Sequence, residues 1–296
     1  MPVWKVIFHT NHKNLRHIAD HKQAFKIQSL YPFESFEDLV EQRKYAALEC
    51  SCKITDDTLH PARFNLHFPC NHDLAEQIKT TFSIFEKVES KADIKLDFNL
   101  FNRLYPQNVT LNQIRQVITG IDLRQRLEDS RLKIWFIVAD ELEGLQKIVR
   151  LYGENDHLID LLSEQGLLLI GFDFFLSGYS KVKIYPEVKK DFLSQPAARE
   201  KLARILSPQA IELLEIYEGL HLTFAGEKYG EKILHYHLDK PDDIYRLKPL
   251  LTNYETVERV HNHYRSKRIA GTTVSLLERE LIANQIKNLN LYYRVR

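Results

Sequence analysis

The segment Leu48-Glu49-Cys50-Ser51-Cys52-Lys53-Ile54 alternates apolar and polar side chains along its whole length. Because successive side chains of a β-strand point to opposite faces, this alternation predicts a strand with one apolar and one polar face. The same alternation returns in residues 63–68, 131–138, 181–185, 233–238 and 289–295. A chain that repeats such strands must either expose their polar faces to water or close them around a polar interior.

Segments with a helical spacing of apolar residues lie between these strands. They cover residues 15–25, 36–47, 74–88, 142–162, 197–217, 257–264 and 276–286. In chain order the elements read helix, strand, strand and helix, repeated about five times with short connections. Because no segment rich in Pro, Gly or Ser divides the chain, we expect residues 1–296 to form one domain.

Short connections, such as the turn at Ser177-Gly178, predict antiparallel pairing. About ten antiparallel strands, each backed by an apolar face and a helix, close most simply into a β-barrel with the helices outside. The alternative is a sheet whose polar faces contact solvent, which is common among antiparallel sheets. Large aromatic residues on the same polar faces favour the barrel interior, and they are Trp135, Phe175, Tyr185 and Tyr292.

The charge balance and the cysteines narrow the class of protein. The chain has 41 lysines and arginines against 40 acids, and a net charge of +1 gives no overall attraction to nucleic acid or to an anionic membrane. Three cysteines, two of them on an apolar strand face, indicate a reducing compartment. The longest apolar run, 167–172, is far shorter than the roughly 20 residues of a membrane span. We therefore expect a cytoplasmic protein with neither nucleic acid nor membrane as a partner.

Cations recur on the polar faces, at Arg63, Lys133, Lys183 and Arg294. Hydrogen-bonding side chains accompany them, at Tyr185, Tyr292, His235 and His237. In an empty interior the cations would repel one another, so they predict a multiply charged anion. Arginine binds two oxygens at once and lysine adds a point charge, which suits a diphosphate better than a single carboxylate.

Two acids share these polar faces. Glu49 is either a structural counter-ion or the group that orients and deprotonates a nucleophile. For Asp173 we expect a structural role. The sequence lacks phosphate-binding glycine loops, nucleophile elbows and aspartate-rich magnesium motifs, and its histidines lack the spacing of metal ligands. We therefore expect no metal site built from side chains.

A series of short motifs follows one order along the chain. They are His21-Lys22-Gln23-Ala24-Phe25, 48–54, Gly120-Ile121-Asp122-Leu123-Arg124, 130–133, 170–174 with 177–178, 184–188, 234–238, 259–261 and 288–293. In order and spacing, over nearly the whole chain, they resemble the cyanobactin prenyltransferases. These enzymes are the peptide-modifying branch of the barrel prenyltransferases, whose ABBA fold is named for repeated α-β-β-α units.

The resemblance implies transfer of an isoprenyl group from an allylic diphosphate, dimethylallyl or geranyl, to a side chain of a ribosomally made cyclic or linear peptide. It also implies that magnesium assists through the diphosphate and that a glutamate matching Glu49 acts on the acceptor. Diphosphate ligands are expected at Arg63, Lys133 and Tyr185. Tyrosines would shield the allylic cation from water, and they are Tyr185, Tyr236 and Tyr292.

Five residues make up the predicted prenyl and acceptor pocket, namely Trp135, His221, His235, Tyr236 and Thr273. Strand alternation disagrees with the resemblance at Tyr236, which it places outside the barrel. Thr273 stands where some family members carry tryptophan, and His221 where phenylalanine or glycine sets prenyl length. The smaller Thr273 makes room for a geranyl donor or for a larger acceptor side chain.

The acceptor atom stays open between tyrosine, tryptophan, serine or threonine, and arginine side chains, because one glutamate serves each of them. Two other functions are consistent with the same residues. One is a non-catalytic barrel that binds peptide or diphosphate, and the other is a small-molecule aromatic prenyltransferase.

Overall fold

The computed structural model describes residues 4–28, 30–43, 45–56, 58–70, 73–91, 93–105, 109–139, 167–225 and 231–296. Its strands are β1 Ala47–Thr55, β2 Thr58–His67, β3 Ile114–Asp122, β4 Arg131–Ala139, β5 Leu167–Phe175, β6 Tyr179–Lys189, β7 Gly219–Ala225, β8 Glu231–Leu238, β9 Ile269–Leu277 and β10 Asn288–Val295. They form a closed barrel in the order β1-β10-β9-β8-β7-β6-β5-β4-β3-β2. Every pairing is antiparallel, and β1 closes the ring by pairing with both β2 and β10.

Helices lie around the barrel. In the described ranges the α-helices are α1 Trp4–Ala24, α2 Phe33–Gln42, α3 Leu74–Glu89, α4 Asn99–Leu104, α5 Pro196–Ala203, α6 Pro208–Ile216, α7 Tyr254–Arg265 and α8 Glu278–Ile282. Helices α1 and α7 pack on β1, α3 packs on β3, and α8 packs on β8 and β9. None of these helices is both long enough and apolar enough to cross a membrane.

The apolar strand faces point outward, toward the helices. In β1 the outward residues Leu48, Cys50, Cys52 and Ile54 have no solvent exposure. Burial of this face between sheet and helices provides the hydrophobic stabilisation, at about 25 cal/mol for each Å² of apolar surface removed from water. The intervening polar residues therefore point into the barrel. This arrangement confirms the fold predicted from the sequence, an antiparallel ten-stranded barrel ringed by helices.

Helix limits differ from the predicted ones where local capping or a strand intervenes. The segment 197–217 forms two helices, since Ser207 caps α6 by accepting a hydrogen bond from the Ala210 N–H and Pro208 lies in its first turn. The segment 276–286 begins as the end of β9, so only Glu278–Ile282 is helical. The helix predicted over 142–162 lies outside the described residues.

Candidate active site

A cavity of about 670 Å³ extends into the barrel from the end at which β1, β7 and β9 begin. We call this end the mouth. Exposed rim residues Lys189, Glu218 and Asp239 line it, and Glu49 lies just inside. Position along a strand then gives the relative depth of its interior residues. On β1, Glu49, opposite Arg294, is nearer the mouth than Lys53, which is opposite Asn290. The interior divides into a mouth level, an aromatic floor and a cationic level beneath it.

Glu49 is held at the mouth level by two side chains of β2. The Asn65 amide donates to Glu49 Oε1 at 2.7 Å, and His67 Nε2 lies 3.6 Å from Glu49 Oε2. Burial of the carboxyl acts to raise its pKa, but the contacts with His67 and Asn65 and the nearby Arg294 charge outweigh burial, so the pKa of Glu49 lies below its ordinary value. Glu49 is therefore an anion at neutral pH, fixed in position and aimed into the cavity.

The aromatic floor consists of Trp135, Tyr185, Tyr292 and His235, which all line the cavity. The Tyr185 and His235 rings meet edge to face, with centroids 5.3 Å apart. Burial keeps the Tyr185 phenol protonated by raising its pKa. Gly171 makes room for this packing, because a Cβ at that position would collide with the Trp135 ring. A surface of π-faces at this depth can stabilise a carbocation without attacking it.

The cationic level lies directly behind the floor and centres on Asp122, which has no solvent exposure. Its carboxylate lies 2.6 Å from Arg131 Nη2, 2.8 Å from Arg124 Nη2 and 3.2 Å from Arg63 Nε. Lys133 Nζ is 3.6 Å away. Burial alone would raise the pKa of Asp122, and the surrounding cations hold it well below its ordinary value.

A second carboxylate, Asp173, takes part in the same level. It lies 2.8 Å from Lys183 Nζ and 3.3 Å from Arg131 Nη1. The cations Arg63, Arg124, Arg131, Lys133 and Lys183 thus outnumber the two carboxylates. Burial and the neighbouring Arg131 charge lower the pKa of Lys133 well below its ordinary value, which is the expected response to this excess.

Two buried N–H donors of this level lack a hydrogen bond within the described ranges, Arg63 Nε and Arg124 Nη1. Arg63 Nε is close enough to Asp122 for an ion pair but is not aligned for a hydrogen bond. Its other nitrogens donate to Asn290 Oδ1 at 2.6 Å and to the Tyr292 hydroxyl at 3.3 Å. An acceptor of this level, Asp122 Oδ1, also lacks a hydrogen bond, so the surplus of positive charge, more than the two N–H groups, suits a bound anion.

Imidazoles and hydroxyls form the wall made by β7, β8 and β9. His221 Nδ1 lies 2.6 Å from His237 Nε2, and His237 Nδ1 lies 3.1 Å from the Thr273 hydroxyl. Burial lowers the pKa of His221 to about 3, and it also lowers the pKa of His237. These rings are therefore neutral at physiological pH.

Apart from Tyr236, the predicted site residues occupy two kinds of position. The cavity is lined by Glu49, Trp135, Tyr185, His221, His235, His237, Thr273, Tyr292 and Arg294. Arg63, Lys133 and Lys183 lie beneath the floor rather than in the open cavity.

The expectation that Tyr236 belongs to the pocket is wrong. Its side chain has no solvent exposure and points outward, where the hydroxyl donates to the Ala210 carbonyl of α6 at 2.8 Å. Its ring packs near Tyr217, with centroids 5.5 Å apart. Alternation along β8, which turns its neighbours His235 and His237 inward, dictates this orientation.

Sequence reasoning missed Asp122 and Arg124 as site residues. Both appear in a motif that carries the resemblance, but β3 itself has apolar residues on both faces, including Val117, Ile118 and Ile121. Its polar end therefore gives no alternation to detect. One indication of Asp122 was present in the sequence, because an excess of inward cations requires a buried counter-ion.

The described side chains do not fit a magnesium ion bound by the protein alone. They contain no group of three or more histidine, cysteine, aspartate or glutamate residues that could hold a metal. The two deep carboxylates are each engaged by cations, which leaves no free oxygen cluster for a hard divalent ion.

Comparison with known proteins adds a family and a fold. A model described as a family of unknown function (DUF5838) matches residues 12–295. No curated protein matches the sequence. The crystal structure of 5-dimethylallyltryptophan synthase from Streptomyces coelicolor is similar at a TM-score of 0.61 and 11% identity, over 93% of this chain and 94% of that one. The prenyltransferase PriB, crystallised with L-tryptophan and dimethylallyl thiolodiphosphate, is similar at a TM-score of 0.52 and 13% identity, over 93% and 94%.

Proposed function

The chain belongs to this family of unknown function (DUF5838), and we propose that it is a peptide prenyltransferase. It would move a dimethylallyl or geranyl group from the diphosphate to a tyrosine, tryptophan, serine, threonine or arginine side chain of a cyanobactin-type cyclic peptide. The observation that carries the proposal is the order of levels in the barrel, with a fixed carboxylate at the mouth, an aromatic floor and a cationic level beneath. Its fold is that of two prenyltransferases, and its motifs resemble the peptide-modifying branch.

The levels match the charges that form during prenyl transfer. When the allylic C–O bond breaks, the diphosphate keeps the electron pair, and Arg63, Lys133 and Lys183 stabilise its added charge. The allylic cation lies against Tyr185 and Tyr292, whose faces stabilise it and exclude water. His237 and Arg294 contribute further polar groups above the floor.

The acceptor side chain enters through the mouth and meets Glu49. This carboxylate orients the nucleophile and favours loss of its proton as the new bond to the prenyl carbon forms. Magnesium would be held through the diphosphate rather than by side chains, and it would supply further neutralisation of the diphosphate charge.

Product mass after incubation with a cyclic peptide and each donor tests the proposal. An added prenyl unit on the peptide is the expected result with dimethylallyl or geranyl diphosphate. Glu49→Gln should abolish transfer while binding of a non-reactive dimethylallyl thiolodiphosphate, measured by calorimetry, stays at the wild-type level. Glu218→Gln, a rim substitution of the same kind, serves as the matched control.

Three outcomes would contradict parts of the proposal. Transfer to free L-tryptophan but to no peptide would indicate a small-molecule aromatic prenyltransferase. Binding of donor without product from any acceptor would indicate a non-catalytic barrel. Wild-type turnover by Glu49→Gln would remove Glu49 from the reaction.

Donor length provides a separate test of the pocket. Thr273→Trp adds a large ring to the cavity wall, so transfer from geranyl diphosphate should fall more than transfer from dimethylallyl diphosphate. Equal loss with both donors would show that Thr273 does not set the available space.

A further inference from the structure

Three neighbouring strands carry a chain of hydrogen bonds along the cavity wall. The chain runs from the Thr273 hydroxyl on β9 to His237 on β8 at 3.1 Å, and from His237 to His221 on β7 at 2.6 Å. All three side chains line the cavity. The two ring contacts use Nδ1 and Nε2 of His237, so this imidazole has both nitrogens engaged and connects the other two groups.

Neutral imidazoles make the chain directional. A neutral ring has one N–H donor and one acceptor nitrogen, whereas a threonine hydroxyl both donates and accepts. If Thr273 donates to His237 Nδ1, then His237 Nε2 carries hydrogen and donates to His221. If Thr273 accepts, every donor and acceptor along the chain is reversed. A proton that enters at one end and leaves at the other converts the first arrangement into the second.

The two ends of the chain have different neighbours. Thr273 is opposite Tyr292 in the register, beside the aromatic floor. At the other end, the described residues provide no hydrogen-bond partner for His221 Nε2. His221 lies between His235 of the floor on β8 and Glu187 on β6, a rim residue whose side chain keeps 22% of its exposure. The chain thus runs from Thr273, beside the floor, to a ring next to a residue that contacts water.

We infer that Thr273, His237 and His221 form a path that carries the proton lost by the acceptor from Thr273 to water beside His221. The inference rests on the proposed prenyl transfer and assigns Glu49 to orientation of the acceptor. As the bond to the prenyl carbon forms, the acceptor proton passes to the Thr273 oxygen, whose own proton moves to His237 Nδ1. The His237 Nε2 proton moves to His221 Nδ1, and the His221 Nε2 proton leaves to water. The diphosphate retains the electron pair of the broken C–O bond, and no group changes oxidation state.

The charges around the path favour transfer of the proton along it and disfavour retention of the proton on His237. Glu49 on β1 and Arg294 on β10 act on the pKa of His237 in opposite directions, and burial keeps this pKa low. Because the doubly protonated form of His237 is disfavoured, this ring transfers the proton to His221 and does not retain it. Glu49, whose pKa is also low, is a poor final acceptor, and so the reaction needs another route for the proton.

A second chain of hydrogen bonds, centred on His235, provides a control within the same wall. His235 accepts or donates at both nitrogens, to the Ser275 hydroxyl at 2.6 Å and to the Thr223 hydroxyl at 3.2 Å. Both hydroxyl residues are fully buried in the wall. Both nitrogens of His235 are therefore engaged, and this second chain ends at buried hydroxyl groups.

Thr273→Val tests the path because valine keeps the volume of threonine and removes the hydroxyl. We expect kcat to fall on the order of 100-fold, the lower end of the range for lost proton transfer, while KM for donor and peptide stays within about twofold. Thr273→Ser should restore most of kcat, and the matched Thr223→Val should stay near the wild type. If Thr273→Val keeps the wild-type kcat and pH profile in an active enzyme, the path is refuted.

A second readout is independent of turnover. In long-range ¹H–¹⁵N spectra of histidine-labelled protein, His237 and His221 should each show one neutral tautomer, and Thr273→Val should change both without changing His235. A charged His237 at pH 7, or no change on Thr273→Val, would overturn the inference. If the wild-type enzyme prenylates no acceptor at all, the proposed function fails and the path fails with it, which differs from an active enzyme that ignores Thr273→Val.

Discussion

Asp122→Asn should be among the most destabilising single substitutions in the barrel. Asp122 has no solvent exposure, and three arginines and a lysine lie within 3.6 Å of its carboxylate. Asparagine keeps the size of the side chain but removes its charge. The substitution therefore leaves a buried cluster of cations with only Asp173 to balance them.

The size of the effect follows from burial. Removing one partner of a buried ion pair costs about 3–5 kcal/mol, because the remaining charge stays in a medium that solvates it poorly. For a chain of this size each kcal/mol lowers Tm by about 2–4 °C, which gives a decrease on the order of 10 °C. Since the pKa of Asp122 is held below its ordinary value, its contribution is complete above the unfolded-state pKa and is lost as pH falls toward the folded-state pKa. The Tm difference should therefore narrow in strong acid.

Thermal unfolding of the two proteins, with and without inorganic pyrophosphate, measures this directly. Pyrophosphate should raise Tm in both, and more in Asp122→Asn, because the anion replaces the missing charge; saturation to 100 times Kd is worth about 2.7 kcal/mol. Asp38→Asn is the control, since its ion pair with Lys87 is half exposed on both sides and should contribute little to stability. A change in Tm below about 2 °C for Asp122→Asn would refute the reasoning about the buried cluster.

Three further substitutions have expected outcomes. Tyr236→Phe should lower the free energy of unfolding by about 1 kcal/mol, the value of one hydrogen bond, and leave prenyl transfer unchanged. A loss of transfer would show that the Tyr236 side chain takes part in the pocket after all. His67→Leu should raise the pKa of Glu49, so the acid limb of the pH profile of kcat/KM should move to higher pH, and an unmoved limb would contradict the assignment. Gly171→Ala should displace Trp135 and quench or shift its fluorescence, whereas an unchanged spectrum and turnover would show that the floor tolerates a methyl group there.

The barrel could be predicted because strand alternation reports directly on which side chains share a face. Glu49 and Lys53 alternate with the outward Cys50 and Cys52 whether the inner face meets water or a ligand. Alternation in one strand does not distinguish those two environments. Aromatic residues on the polar faces of several strands do, because they favour a barrel interior over contact with solvent. β3 gave no such evidence, since its apolar residues face both the helices and the cavity.

Depth within the barrel could not be predicted in the same way. Alternation gives Arg63 and Glu49 the same inward direction, yet one lies beneath the aromatic floor and the other at the mouth. The difference depends on strand register, in which Arg63 is opposite Asp122 and Glu49 is opposite Asn65. Register depends on turn geometry and on the hydrophobic patterns of both paired strands, so the pattern of one strand alone does not give it.

Closure of the barrel has a consequence for how the protein can diversify. The residues that pack against the helices and those that line the cavity occupy opposite faces of the same strands, and the ring has no open edge to protect. A lining residue such as His221 or Thr273 can therefore be exchanged with little effect on the outer packing. Single substitutions in the lining can therefore change what the cavity binds while the shell that folds the chain stays the same.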